Sequence, residues 1–207
     1  MPSDKRLPEK VYQIYGLHLR SEWLLACRPA NEHCLARVEL HESRTSLAAQ
    51  SPDEVHVEPD DWFYRRLADG SDYLRWGTLA EFHVSPAGGR ITARSLNGHI
   101  HQPARTFLLS QVLSFALIKH GIETLHATVI EVAGEAIAFV GDCGYGKSTL
   151  AAAFLHSGAR LLTDDLLVLD IRNSAPPLIL AHPGFPRIKL FPDSAKVLLN
   201  DPAAGKP

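Results

Sequence analysis

Apolar positions in this chain keep a strand-like spacing over most of its length and turn helical in only three places. Val11 to Arg20 mixes aromatic and β-branched residues in strand fashion, and Glu81 to Ala93 holds two runs divided by Pro86-Ala87-Gly88-Gly89, the pattern of a hairpin. Asp60 to Leu67 reads as a short helix capped by Asp60 or Asp61. Trp23, Trp62, Phe63, Trp76 and Phe82 are the natural core of such a mostly β unit, ahead of any role as a stacking surface for a ligand. The spacing then predicts a helix over Arg105 to His120, with Leu109, Val112, Leu113 and Ala116 on one face, Pro103 opening it and Gly121 stopping it. That helix is expected to pack on the domain that follows.

Beyond it the runs shorten. Glu123 to Val132 and Ile137 to Val140 read as strands, and the tight turn around Ala133-Gly134-Glu135 requires them to be antiparallel. Thr149 to Leu155 is helix-forming and Ser157-Gly158 closes it. Arg160 to Leu162 is a short strand ending in Thr163-Asp164-Asp165, and Leu166 to Ile171 is another. From Ser174 onward prolines recur (Pro176, Pro177, Pro183, Pro186, Pro192, Pro202), so turns and short edge strands are expected. The organisation is α/β, with a small β-rich N-terminal domain over 1–103 and a second domain over 104–207.

Between the strand ending at Val140 and the helix starting near Thr149 stands Gly141-Asp142-Cys143-Gly144-Tyr145-Gly146-Lys147-Ser148, which fits G-x-x-x-x-G-K-[ST]. Background residue frequencies give this pattern in roughly one chain of this length in a hundred, and the strand before and helix after make coincidence rarer. The glycines permit positive φ and close backbone approach, so successive N–H groups can turn inward on a triphosphate. Lys147 would reach the β and γ phosphates and Ser148 would hold Mg²⁺, so Gly141 through Thr149 is the expected ATP-binding set.

Composition narrows the partners. Twenty-one Lys and Arg face 23 Asp and Glu, a formal charge of -2 with no long run of either sign, so nucleic acid is not an expected partner. The longest apolar stretch, Phe107 to Ile118, is interrupted by Ser110, Gln111 and Ser114 and is too short to span a bilayer. Met1 to Arg6 has no apolar region behind it, so a cytoplasmic protein is expected. With 207 residues and 45% apolar content, one or two domains can be built, and a homo-oligomer is compatible with these features. Cys27, Cys34 and Cys143 lack the paired spacing of a zinc site; Cys27, His33 and Cys34 would still need a fourth ligand. His99 and His101 alternate as on a strand face and read as a solvated pair.

Two features converge on the phosphates. Antiparallel pairing across the turn at Ala133 sets His126 opposite about residue 141 or 142, beside the loop, although a satisfied strand-edge histidine fits as well. Asp164 and Asp165 follow the return strand and emerge at the same sheet edge. One carboxylate there can help hold Mg²⁺ while the other accepts the proton of an attacking hydroxyl; a turn or cap use is the plainer reading. Asp170, which ends a Walker-B-like run of four apolar residues, competes with the pair, but lies roughly 17 Å further along an extended chain.

Leu125-His126, the run from Gly141 to Ala151, Gly158, Leu161 and Asp164-Asp165 resemble, in order and spacing, the catalytic core of the HPr kinase/phosphorylase family. The resemblance covers about residues 104 to 170. It implies a P-loop kinase core of the HPr kinase and phosphoenolpyruvate carboxykinase type, and an Mg-ATP-dependent transfer of the γ-phosphoryl group to a serine of a peptide or protein. By position it implies catalytic roles for His126, Lys147 and Asp165, with Asp165 as proton acceptor, Asp164 in support and at the metal, and Ser148 on Mg²⁺. Tyr15-Gly16-Leu17-His18-Leu19-Arg20-Ser21 looks like the shorter HPr kinase-like proteins of bacterial biosynthetic clusters, including kinases that tailor lasso-peptide precursors. Where the bifunctional enzymes carry Glu-x-Arg-Gly-Leu-Gly, this chain reads His182-Pro183-Gly184-Phe185-Pro186-Arg187-Ile188-Lys189-Leu190, so their second metal-ligand glutamate and their phosphorolysis are not carried over. The chain ends at Pro207, before the family's catalytic domain does, which implies an incomplete C-terminal part. The alternatives are a nucleotide-binding module or ATPase that passes phosphate only to water, and a carboxykinase-like enzyme acting on a small acid.

Overall fold

The computed structural model describes residues 10–48, 58, 61–97, 102–185, 187–190 and 192–199. Met1 to Arg6, Asp60, the His99 and His101 pair, Pro186 and Pro202 lie outside the described residues. The chain divides into two compact units, Met1–Ile122 and Glu123–Pro207.

In the first unit, β1 (Lys10–Ile14) and β2 (Leu17–Ser21) form a hairpin whose turn residues Tyr15 and Gly16 both have positive φ, 54° and 74°. Such a turn matches the right-handed twist of the strands it joins. β2 alternates cleanly, with Leu17, Leu19 and Ser21 buried and Arg20 in solvent. The remaining strands are β3 (Arg28–Pro29), β4 (Ala36–Glu42), β5 (Trp62–Arg66), β6 (Asp72–Trp76), β7 (Ala80–Val84) and β8 (Arg90–Ser95). Among the described residues they make one eight-stranded sheet in the order β3-β1-β2-β4-β8-β7-β6-β5. Pairing is parallel where β4 meets β2 and β8, and antiparallel elsewhere. The β7–β8 hairpin is the one expected over Glu81 to Ala93.

Two expectations fail here for one reason. The segment read as a helix over Asp60 to Leu67 is β5, paired residue by residue with β6 from Trp62↔Trp76 to Arg66↔Asp72. Aromatic residues and a neighbour strand outweigh a cap signal. As an edge strand it leaves Trp62 56% exposed, stacked on Trp76 from outside rather than filling the core, which Trp23, Trp76 and Phe82 do occupy.

The helical period after residue 103 is realised as α1 (Gln102–Phe107), a widened π-helical turn (Leu108–Val112) and α2 (Leu113–Lys119). The Ser110 hydroxyl donates to the Thr106 carbonyl at 2.7 Å within that turn, competing with the backbone ladder. Gly121, at φ 72°, ends α2 with Ile122 N–H reaching back to Leu117 and Gly121 N–H to Ile118. This helical segment belongs to the first unit, not to the domain after it. Phe107 stacks on Trp76, Phe115 meets Tyr64, and Lys119 forms a buried ion pair with Asp72 at 2.9 Å. Gly88 is what lets α2 settle on the sheet, since a Cβ there would stand 2.8 Å from both the Ala116 carbonyl and Lys119 Cβ.

The second unit holds β9 (Thr124–Leu125), β10 (Ala127–Val132), β11 (Glu135–Val140), α3 (Lys147–His156), β12 (Arg160–Thr163), β13 (Leu167–Arg172), β14 (Leu178–His182) and α4 (Pro192–Leu199). The strand expected from Glu123 to Val132 is broken at His126, because its halves pair with different sheets: β9 with β13, and β10 with β11 and β12. The β10–β11 connection is tight and antiparallel as expected, with Ala133 and Gly134 at φ 53° and 88°. β10 is buried on both sides, its Ala127 and Val129 packing with Leu167 and the strand itself lying against α3. The proline-rich tail supplies β14, an edge strand, and also α4, which packs on α3 and begins at Pro192, a favoured first helical residue. Among the described residues no helix is long and apolar enough to cross a membrane.

Candidate functional site

The loop between β11 and α3 is shaped by its glycines. Gly144 and Gly146 sit at φ 87° and 81°, and nothing stands within 4 Å of where a Cβ would project from either. The free amides of the first turn of α3 follow directly, a place where backbone N–H groups and the helix dipole favour an anion. Lys147 curls over the loop, its ammonium donating to the carbonyls of Gly141 at 2.8 Å and Asp142 at 2.9 Å. Tyr145 is well exposed and Cys143 is open to solvent.

The two aspartates have unlike surroundings. Asp164 is only 5% exposed, and its carboxylate accepts from the Thr128 hydroxyl at 2.6 Å, the Ser148 hydroxyl at 3.0 Å and the Lys189 amide at 2.9 Å. A buried carboxylate is tolerated because these donors replace its water. Asp165 has φ 81°, a left-handed backbone that side chains other than glycine adopt at a cost, Asp and Asn least so. Its Oδ2 receives the Lys189 ammonium at 2.5 Å. His126 Nδ1 lies 2.9 Å from the Asp165 carbonyl; a carbonyl has no proton to give, so Nδ1 donates and the imidazole holds that turn in place.

His126, Cys143, Gly144, Gly146, Lys147, Ser148, Thr149, Asp164, Asp165, Lys189 and Leu190 line one cleft of about 250 Å³, the space of about eight waters. The structure thus brings together His126, the glycine-rich loop, Lys147, Ser148 and both aspartates. Asp170 does not line this cleft; it sits in β13 and pairs with Arg172, with His182 Nε2 3.9 Å away. Burial pushes the Cys27 thiol up to about 12, so it is a packed side chain with little thiolate. Among the described residues no group of three or more His, Cys, Asp and Glu side chains gathers as a metal cluster.

Sequence reading missed Thr128 and Lys189. Thr128 was findable, since alternation along the strand read from Glu123 to Val132 puts it on the same side as His126, two residues away. Lys189 carried no such signal, because it reaches the site through a loop after β14 whose course is set by Gly184 N–H bonding to the Leu162 carbonyl.

A mixed α/β chain with one large sheet and a few helices, carrying a serine–carboxylate pair beside a glycine-rich loop, is compatible with a kinase-like fold. The chain is similar to the HPr kinase/phosphorylase of Clostridium botulinum, in strains Eklund 17B and Alaska E43, at 38% identity over 79 residues, 38% of this chain and 25% of that protein. It is also similar to the HPr kinase/phosphorylase of Lactobacillus delbrueckii subsp. bulgaricus, at 33% identity over 89 residues, 40% of this chain and 28% of that protein. These matches span about a quarter of the length of the curated relatives, and support a distant relationship. No family model matches the chain, and no solved structure does.

Proposed function

We propose that this chain is an Mg-ATP-dependent serine kinase. The observation that carries this reading is the division of labour between the aspartates: one buried and tied to Ser148, the other turned into the cleft on a constrained backbone. The oxygen-only donors Ser148 and Asp164 suit a hard divalent cation, since Ser148 gives its hydrogen to Asp164 and keeps its lone pairs. Those two residues would hold Mg²⁺, which when bound offsets charge on the phosphates.

Asp165 orients the substrate serine and takes its hydroxyl proton. The serine oxygen then bonds to the γ-phosphorus as the bond from that phosphorus to the bridging oxygen breaks, and ADP departs. Loop amides and Lys147 gather the negative charge that moves onto the nucleotide. His126 keeps Asp165 aimed. The acceptor we assign is a serine in a peptide, with tailoring of a biosynthetic precursor first and a carrier protein such as HPr second.

The test is the fate of the γ-phosphate from labelled ATP with serine peptides present, with Lys147→Ala beside the wild type. Label on serine that disappears in Lys147→Ala supports the kinase. Label appearing only as inorganic phosphate would establish an ATPase instead, and transfer undiminished in Lys147→Ala would remove the phosphate-loop assignment.

A further inference from the structure

Within the cleft, one cation has no part in the reading above. Lys189 arrives from the loop after β14, on a different segment from Lys147, and is bound at both ends: its amide donates to Asp164 Oδ2 at 2.9 Å and its ammonium to Asp165 Oδ2 at 2.5 Å. The backbone contact fixes where the side chain starts. The side chain is half-exposed and its ammonium is held by Asp165, so it is free to exchange partners.

Charge explains why an exchange is favoured. With two lysines against two aspartates, the cleft is close to neutral. A nucleoside triphosphate adds about four negative charges and a divalent ion returns two, so an ammonium beside the reacting centre gains more from phosphoryl oxygens than from a lone carboxylate. Its departure also uncovers the oxygen that a proton-accepting Asp165 needs. Lys147, bonded to the carbonyls of Gly141 and Asp142, approaches from the loop side.

We propose that Lys189 is a second catalytic cation, which leaves Asp165 Oδ2 when ATP binds and contacts the γ-phosphoryl group as it is transferred. This rests on the kinase reading. The step stays balanced: the serine proton passes to Asp165, the phosphoryl group passes to the serine oxygen, ADP leaves, and Lys189 keeps its proton throughout.

Lys189→Met removes the charge and keeps the stem; Lys189→Arg keeps the charge. Transfer to a serine peptide should fall about 10²-fold in kcat for Lys189→Met, with the KM for peptide little changed, and recover in large part in Lys189→Arg. Calorimetric titration with ATP and with ADP gives a readout that needs no turnover. The preference for ATP over ADP should drop about tenfold in Lys189→Met, because only ATP carries the γ group. Unchanged kcat and an unchanged ATP/ADP ratio would overturn the proposal, as would a Lys189→Met enzyme faster than wild type, which would make the lysine a brake on Asp165. Should the wild type label no serine, the kinase reading fails by itself, and the ATP/ADP ratio still decides whether Lys189 meets the γ-phosphate.

Discussion

Replacing Asp165 with alanine and with glycine separates its backbone from its chemistry. Both changes delete the carboxylate and its ion pair with Lys189, a part-exposed contact worth about 0–1 kcal/mol, so that loss cancels in the comparison. They differ in the left-handed conformation at φ 81°. Alanine bears a penalty of about 1–2 kcal/mol there that glycine does not. Glycine gives back about 0.4–1 kcal/mol through the greater freedom of its unfolded chain. The glycine variant should therefore be the more stable by about 0.5–1 kcal/mol, or about 2–8 °C in the melting temperature of a unit this small. Serine phosphorylation should fall by about 10²-fold or more in both, the usual scale for a positioned general base. Urea midpoints and thermal melts of the two proteins side by side are the assay. An alanine variant as stable as the glycine one would show that the turn is not held against its preference, and full activity in either would dismiss Asp165 as the base.

Thr128→Val removes one of the donors to buried Asp164 and should cost about 1–2 kcal/mol in urea unfolding while raising the Mg²⁺ concentration needed for half-maximal activity. Gly88→Ala puts a methyl 2.8 Å from the Ala116 carbonyl at φ 76°, and should destabilise the first unit by about 2–3 kcal/mol; all the tryptophans lie there, so their fluorescence follows it. Acid should weaken the same unit in two stages. Burial pushes the His83 imidazole below its ordinary value despite Asp69 and Asp72, with Lys119 assisting; its contribution is present above about pH 6.5 and fades as pH falls toward the folded value. Burial would raise the Asp72 carboxyl, but hydrogen bonds from Arg66, Lys119 and Tyr64 hold it below the ordinary carboxylate value; its contribution is present above about pH 4 and is lost as pH drops further, readable as the urea midpoint across a pH series. Asp170→Asn should leave transfer within about twofold, since Asp170 pairs with Arg172 and does not line the cleft; loss of activity on that change would restore the Walker B alternative.

What the sequence revealed depended on how local each signal was. The glycine-rich loop, its flanking strand and helix, and the turn at Ala133-Gly134 rest on adjacent residues, so spacing alone exposed their arrangement, whereas the run read as strand over Val11 to Arg20 folds back on itself at Tyr15-Gly16. His126 was found because a tight turn fixes register over a short distance, and Ala127 does pair with Val140 next to it. The break at His126 was hidden, since it arises from β9 and β10 choosing partners in separate sheets. β5 was misread because its pairing with β6 outweighs a cap signal at its start. The helix after residue 103 had a correct apolar face, but its packing within the first unit rests on Asp72 and Gly88, far upstream. Lys189 needed the whole path from β12 through β14, and no pattern near it marks that course.

Strand β11, from which the glycine-rich loop springs, pairs only with β10 among the described residues, and Val140 at its end is 66% exposed. Every second amide of an edge strand points away from its partner and exchanges with solvent through small local openings. The loop is thus launched from a shallow part of the unit's stability profile. Anything that grips the loop's amides also ties down that strand, and at a ligand concentration of one hundred times Kd this adds about 2.7 kcal/mol, or about a hundredfold slower deuterium uptake. Hydrogen exchange along Glu135–Val140 is accordingly a gauge of occupancy that reads binding from the behaviour of the strand beneath the loop.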